Sequence, residues 1–421
     1  MMSTRLRERR ISRAAARAGQ SPSSPHPLQK FADKVHDLDL VRKSVDDAAA
    51  VSAGLWLSYL FALFYIGIAA GGVTHKDLLL ENPVRLPFLN VELPFVAFFA
   101  LAPVLFVVSH AYTLMHFVML ASKVGAYNHE LAKQIPERDA ASASIYDDAH
   151  ALDHREIRRG LRRQLPSNIF VQFLAGPLEI REGGLGRLLK AIAWVTLVIG
   201  PVLLLLLIQV QFLPYHLEWV TWIQRLALLC DVVLLWFLWP AVLEGRSEMR
   251  WPRLWRHPGA ALISLVPLVL AFVVARYPGE WVDRHVGSRH WIPPYSRHTW
   301  QEAEDWQEFL TAWIDEPGWT SVHNLLFNGE VDDVTRRRKS LLSNTLVLPG
   351  FDGLAAAGIE DPKKLEGDGV KHSLVLRGRH LKGAILSHSD LRKADLEAAK
   401  LEGANLDGAR LQGARLDGAN L

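Results

Sequence analysis

Apolar residues come in long runs over most of this chain, and one at a time at every fifth position over its final stretch. Ala48–Val73, Leu93–Ser122 and Ala191–Tyr215 contain no Asp, Glu, Lys or Arg. Trp219–Leu243 is apolar apart from Thr221, Gln224, Arg225 and Asp231, and the shorter Gly259–Ala275 carries Pro267. A helix needs about 20 apolar residues to cross the hydrocarbon core of a bilayer. The pattern therefore predicts five transmembrane helices, at 48–73, 93–121, 189–213, 219–243 and 259–275. One such run fits the buried helix of a soluble core; five in one chain do not.

The final stretch has a different rhythm. Leucine stands at Leu376, Leu381, Leu386, Leu391, Leu396, Leu401, Leu406, Leu411, Leu416 and Leu421. Two positions before them come Ala384, Ser389, Ala394, Ala399, Ala404, Ala409, Ala414 and Ala419, with Gly383, Gly403, Gly408, Gly413 and Gly418 preceding the alanines. A period of five fits neither the 3.6 of a helix nor the 2 of a strand, so it predicts a solenoid. The Ala-(Asp/Asn/Arg)-Leu-X-Gly pattern resembles the pentapeptide-repeat family. That resemblance implies a right-handed quadrilateral β-helix with one pentapeptide per face. The expected fold is mixed: an α-helical multi-span membrane domain followed by this solenoid.

In such a coil the leucine fills the interior, the small residue packs the inner corner and the rest face solvent. An inward charge would be unpaired in a dry core. Ten repeats make about two and a half coils, each needing a neighbour to cover it. The register runs unbroken to Leu421, and an open coil edge exposes backbone groups. A longer rod is therefore expected, with an end-to-end interface as the alternative. Leu346-Val347-Leu348-Pro349-Gly350 echoes Leu374-Val375-Leu376-Arg377-Gly378, as wall strands entering the same corner. The solenoid is thus expected over 341–421, with Phe351–Lys371 looping out as an insertion.

Charge sets the orientation. The segment ahead of the first run is rich in Arg and Lys, the next loop holds only Lys76 and Arg85, and Lys123–Glu182 is basic again. Pro214–Glu218 has neither Lys nor Arg, and Arg246, Arg250, Arg253 and Arg256 follow the fourth run. This alternation predicts a cytosolic N-terminus and, after five spans, an extracytoplasmic solenoid, as in a bacterial inner membrane. The single cysteine, Cys230, falls inside a predicted span, so the exported part has no disulfide. Residues 1–47 read as a disordered basic tail with a pre-anchor helix, suited to an anionic leaflet. They lack an aromatic residue to stack on a base up to Gln29, so no nucleic-acid partner is expected. Residues 48–276 form the membrane domain, in which the second span continues as a helix into a charged cytosolic helical hairpin within 123–186. Residues 277–340 form a Trp-rich connector, with a short helix at Gln301–Ile314. Gly183-Gly184-Leu185-Gly186 reads as a hinge into the bilayer.

The arrangement also resembles bacterial membrane-anchored pentapeptide-repeat proteins. That resemblance is carried by Asn90-Val91-Glu92-Leu93-Pro94, Val171-Gln172-Phe173-Leu174-Ala175-Gly176-Pro177 and Tyr277-Pro278-Gly279-Glu280-Trp281. It implies no particular activity.

Three polar residues inside predicted spans stand out: Asp231, Arg225 and His110. Asp231 lies about 18 Å along its helix from Trp219, and a charge at that depth needs a partner or water. His110 comes to a depth that allows an Asp231–His110 pair. Arg225 is free either to snorkel or to reach Gln209 and Gln211. These features read as a proton or ion relay or, more simply, as an interhelical clamp. Asp147, His150 and His154 share a helix face with metal-ligand spacing but lack a fixed fourth ligand, so no metal and no cofactor is expected. There is no phosphate loop, nucleophile elbow or usable nucleophilic cysteine, and no enzyme is expected. The reading that remains is a membrane-anchored scaffold whose partners are the lipid bilayer and an envelope protein or a second copy. The alternative is a transporter or channel subunit using Asp231, Arg225 and His110. Soluble relatives mimic DNA and bind gyrase through acidic solenoids. Here, from Lys371 to Leu421, Lys and Arg outnumber Asp and Glu, which argues against that role.

Overall fold

The first apolar run and the segment before it form one helix, α1, spanning Pro27–Gly71 over 45 residues. In this computed structural model the described residues are 27–86, 91–135, 148–177, 181, 183–245, 258–286, 318–332, 338–359 and 372–421. A short helix α2, His75–Leu80, follows. Its Thr74 accepts from Asp77 N at 3.3 Å while Asp77 accepts from Thr74 N at 3.0 Å, a reciprocal cap for the otherwise unpaired first turn. Strands β1 (Val84–Leu86) and β2 (Val91–Leu93) pair antiparallel, with Val84 opposite Leu93. Helix α3, Phe95–Gln134, runs 40 residues with Pro103 near its start. Then come α4 (Asp148–Arg163) and α5 (Ile169–Ala175).

The third apolar run is not a uniform helix. It comprises α6 (Gly184–Trp194), a π-helical turn at Val195–Ile199, α7 (Gly200–Phe212) and a 3-10 turn at Leu213–Tyr215. Gly184 and Gly186 lie in the first turn of α6, so the expected hinge is helical. Helix α8 covers Glu218–Glu244. Helix α9, Pro258–Val269, passes into a second π turn at Leu270–Val274.

Among the described residues four helical stretches are long and apolar enough to cross a membrane: Leu38–Gly71, Phe95–Gln134, Gly184–Tyr215 and Glu218–Glu244. The fifth expected span is shorter, with 12 α-helical residues and five in the π turn. It runs antiparallel to α8. Trp236 Nε1 donates to Ser264 Oγ at 3.1 Å, and Trp222 meets Phe272 edge-on at 6.1 Å between centroids.

The chain divides into two compact units. One comprises residues 1–52, 119–189 and 242–247. In it Asn168 caps α5, accepting from Phe170 N at 2.9 Å, and its Nδ2 donates to Ala49 O at 3.0 Å. Arg42 donates to Gln164 at 2.6 Å. Gly125 faces Gly245 so closely that a Cβ on Gly125 would lie 2.6 Å from the Gly245 carbonyl oxygen.

The second unit holds the rest of the helices and the repeats. In the repeats, parallel bridges join residues 20 apart in four columns: Ile385 to Asn405, Asp390 to Arg410, Val375 to Asp395 to Arg415, and His380 to Lys400 to Asn420. Val347 pairs with Ile385 and Asp352 with Asp390, so a first coil starts at Val347 and is interrupted after Asp352. Leu341 lies ahead of it and is exposed. Val347 belongs to the column of Ile385 and Val375 to that of Asp395. The two look-alike segments therefore lie on different faces, not at the same corner.

Rung-to-rung hydrogen bonds tie the coils, for example Leu376 N to Asp395 O and Leu396 N to Arg415 O, both 2.8 Å. Leu376, Leu381, Leu386, Leu391, Leu396 and Leu401 are buried, as are Ala384, Ser389, Ala394 and Ala399. Leu406, Leu411, Leu416, Ala404, Ala409, Ala414 and Ala419 are half-buried and Leu421 is exposed. Each corner needs a left-handed residue. Glycine fills most of these positions, while His388, Lys393 and Ala398 occupy three at φ 56, 53 and 55°.

Candidate functional site

Two buried polar pairs lie among the helices of the second unit. The first joins α3 to α8. His110 Nδ1 lies 2.6 Å from Asp231 Oδ1, and both side chains are wholly inaccessible. The other ring nitrogen, Nε2, faces Leu197 O at 3.1 Å. Tyr59 of α1 stacks on the imidazole at 5.4 Å and donates its hydroxyl proton to Thr196 O at 3.0 Å. Phe106 lies 6.1 Å from the imidazole and 5.9 Å from Tyr59, so the three rings form one cluster. Asp231 Oδ2 is buried and has no hydrogen-bond partner among the described residues.

The second pair joins α8 to the turn that follows the π-helical end of α9. Arg225 makes a bidentate pair with Glu280, through Nη1 to Oε1 and Nη2 to Oε2, the latter at 3.1 Å. Its Nε donates to Ala271 O at 2.9 Å and its Nη2 to Ala275 O at 3.0 Å. Neither side chain of this pair is exposed. Burial raises the Glu280 pKa above the ordinary carboxylate range while Arg225 opposes the shift. Gln209 does lie beside Arg225, as a second donor to Ala271 O at 2.8 Å, but the ion partner is Glu280. Sequence reasoning noted Glu280 only within the Tyr277–Trp281 motif and gave it no role, because it sits in a Pro-Gly-Glu turn outside every apolar run.

Both pairs depend on carbonyls that a regular helix would have used. In an α-helix Thr196 O would accept from Gly200 N; here Gly200 N bonds Val195 O, five residues back. Pro201, four residues after Leu197, has no N–H to offer. Thr196 O and Leu197 O are thereby freed for Tyr59 and His110. The second π turn repeats the logic. Ala275 N bonds Leu270 O at 2.7 Å, freeing Ala271 O for Arg225 and Gln209. Such π turns concentrate at functional sites.

A third cluster fixes the first coil of the β-helix to the helical domain. Arg379 pairs with Glu81, donates to Leu78 O at 2.6 Å and lies over the Tyr215 ring at 4.4 Å. It thus supplies positive charge and donors to the carbonyl end of α2. Tyr215 donates to Glu81 at 2.7 Å. His216 Nε2 lies 2.8 Å from Asn344 O and its ring stacks on Tyr277 at 4.8 Å. Asn344 Nδ2 donates to Arg276 O at 3.0 Å, and His323 Nδ1 lies 2.6 Å from Val274 O. Burial pushes both His216 and His323 down to about 4. The Gly279 turn, at φ +83°, passes so close to the coil that a Cβ there would lie 3.2 Å from Lys382 Nζ.

Among the described residues no group of three or more His, Cys, Asp or Glu is placed to hold a metal ion. Asp147 and the expected helix at 301–314 lie outside the described residues, as do the side chains of His150 and His154 on α4.

The pentapeptide-repeat family model matches this chain in 8 copies, over residues 375–408 and 384–421. Pentapeptide repeats are therefore present, and they imply a β-helix. The match covers only this end of the chain and is to a repeat, with no catalytic family matched. Comparison with curated proteins and with solved structures gives no match.

Proposed function

We propose that the protein is a non-enzymatic, multi-pass membrane protein of the bacterial inner membrane that holds a pentapeptide-repeat β-helix outside the bilayer as a binding surface for an envelope protein. The observation that carries this reading is the Arg379 cluster. A β-helix gripped at its first coil by Glu81, Leu78 O and Tyr215 is held as a fixed platform.

Aromatic residues support the bilayer placement. Trp219, Trp222 and Trp281 gather near one end of α8, where Trp222 and Trp281 lie 6.2 Å apart. Trp194 and Trp239 meet at 5.4 Å near the other end. Trp222 and Trp239 are about 25 Å apart along the helix, close to the thickness that interfacial aromatics bracket. The shorter fifth helix runs beside α8 across much of that span, which favours five crossings and an extracytoplasmic repeat domain. The exposed apolar side chains Leu57, Phe61, Phe64 and Ile68 on α1 suit contact with lipid.

The faces of the β-helix suit a protein partner rather than a nucleic acid. Their charges are used between rungs, Arg377 with Glu397, Glu397 with Arg415 at 2.9 Å and Lys382 with Glu402 at 3.2 Å, and within a rung, Arg392 with Asp390 at 2.6 Å. Such a mosaic is ill suited to mimicking or binding a polyanion.

The transporter alternative narrows to one pair. Arg225 is consumed by Glu280 and two carbonyls, which leaves His110 and Asp231. The scaffold reading is tested by photo-crosslinking in living cells from Gln412 and Asn405, on two solenoid faces. One discrete adduct with an envelope protein, lost on Arg379→Glu, supports it. The absence of any adduct from either position contradicts it.

A further inference from the structure

The two buried pairs differ in completeness. Arg225 and Glu280 form a closed clamp: both carboxylate oxygens accept, and the guanidinium makes four hydrogen bonds. In the other pair, Asp231 Oδ2 has no hydrogen-bond partner among the described residues although its side chain is wholly buried. Leaving a buried carboxyl oxygen without a partner costs on the order of 1–3 kcal/mol. A purely structural clamp has no need of that cost.

The hydrogen bonds also fix the proton count. Leu197 O can only accept, so His110 Nε2 carries a proton. Between Nδ1 and Oδ1, at 2.6 Å, one further proton must lie. Either the imidazolium faces a carboxylate, or the carboxylic acid donates to the neutral ring. Both arrangements are net neutral and differ only in which of the N–H and O–H bonds is made. Removing that proton leaves an uncompensated negative charge, and the nearest other groups offer little relief. Tyr59, from α1, has its hydroxyl committed to Thr196 O; the π turn contributes carbonyls; Arg225, on α8, is held by Glu280.

We propose that His110 and Asp231 form a proton-binding site within the helical domain, holding one exchangeable proton between Nδ1 and Oδ1, with Asp231 Oδ2 as the unsatisfied face of the site. The Leu197 carbonyl, freed by Pro201, makes Nδ1 the nitrogen that exchanges its proton. The ligand is a hydron, and its loss converts a neutral pair into an anion. The site rests on the helices alone and holds whatever partner the β-helix takes.

The test uses the full chain in nanodiscs of phosphatidylethanolamine and phosphatidylglycerol, compared with Asp231→Asn and His110→Gln. Asp231→Asn keeps a hydrogen bond to His110 but removes the exchangeable proton. pH-induced infrared difference spectra, repeated in heavy water, are expected to show a band of the pair in the wild type, a carboxyl C=O if the exchanged proton rests on Oδ1 and a perturbed carboxylate stretch if it rests on Nδ1. That band disappears in Asp231→Asn and moves in His110→Gln. Calorimetric proton uptake falls by about one proton per chain in Asp231→Asn. Should Asp231→Asn fail to assemble, the shift in His110→Gln decides alone, since that variant retains Asp231. Identical difference spectra in wild type and variants would overturn the proposal and make the pair a fixed clamp.

Discussion

Arg379 of the β-helix is ion-paired with Glu81, 298 residues earlier in the chain. Glu81 ends α2 in the left-handed conformation at φ 54°, which turns its side chain away from the helix while Arg379 takes the helix carbonyls. One guanidinium therefore meets a carboxylate, a helix end and an aromatic face at once. Glu81 is half exposed, so water screens the ion pair itself. The carbonyl bonds and the Tyr215 contact carry more of the energy.

Replacing Arg379 by Ala is expected to weaken the hold on the first coil by about 1–3 kcal/mol. Amide exchange at Leu376, Leu381 and Leu348 speeds up while that of Leu396 changes little. Arg379→Lys keeps the charge but loses the fork that reaches Glu81 and Leu78 O together, and should fall between. Equal exchange in all three proteins would mean the cluster does not anchor the coil.

The clamp between Arg225 and Glu280 should behave differently. Arg225→Ala strands a buried carboxylate and is expected to cost about 3–5 kcal/mol. The double change Arg225→Met with Glu280→Gln removes both charges and should recover most of that loss. Thermal melting in detergent checks it: the single variant melts well below the double. A single variant as stable as the wild type would show that Glu280 is not an obligate partner.

Acid should loosen the seat of the β-helix. His216 and His323 are held neutral, each pushed by burial from 6.5 to about 4. The Asn344 and His380 backbone contacts only partly offset the burial of His216, and His323 Nε2 faces the Asn344 amide at 3.5 Å. Lys382 adds repulsion at His216, and Arg276 adds it at His323. Between pH 6.5 and 4 the unfolded chain binds the extra protons, so stability is full above about 6.5 and is lost as pH falls toward 4. Each group contributes at most about 3 kcal/mol. The melting temperature should drop between pH 7.5 and 5, and the drop should shrink in His216→Phe with His323→Leu. An unchanged drop in that double variant would place the acid sensitivity elsewhere.

The repeat was legible because five-residue spacing leaves no helix or strand reading, and the leucines and alanines it selects are buried as far as Leu401 and half-buried beyond it, except for the exposed Leu421. The apolar runs were legible for the same reason, down to the continuity of α3 through its second half. What escaped was set by long-range geometry. Glu280 has no periodicity to announce it, and Arg379 looks like any exposed corner residue of the repeat. The first coil, begun at Val347 and resumed near Leu374, was visible as a sequence echo, but its face was not, because the intervening insertion hides the register. The π turn at Val195–Ile199 did leave a trace. Gly200-Pro201 inside a helical run removes a donor to Leu197 O, and a buried histidine is a natural claimant for that carbonyl.

The central claim is that the β-helix stands outside the membrane on a helical anchor. Paired reporter fusions in a bacterial host test it most directly. Alkaline phosphatase fused after Leu421 is expected to be active and green fluorescent protein fused there dark, with the opposite result for fusions ahead of Pro27. Bright fluorescence after Leu421 with inactive phosphatase would put the β-helix in the cytosol and contradict the account.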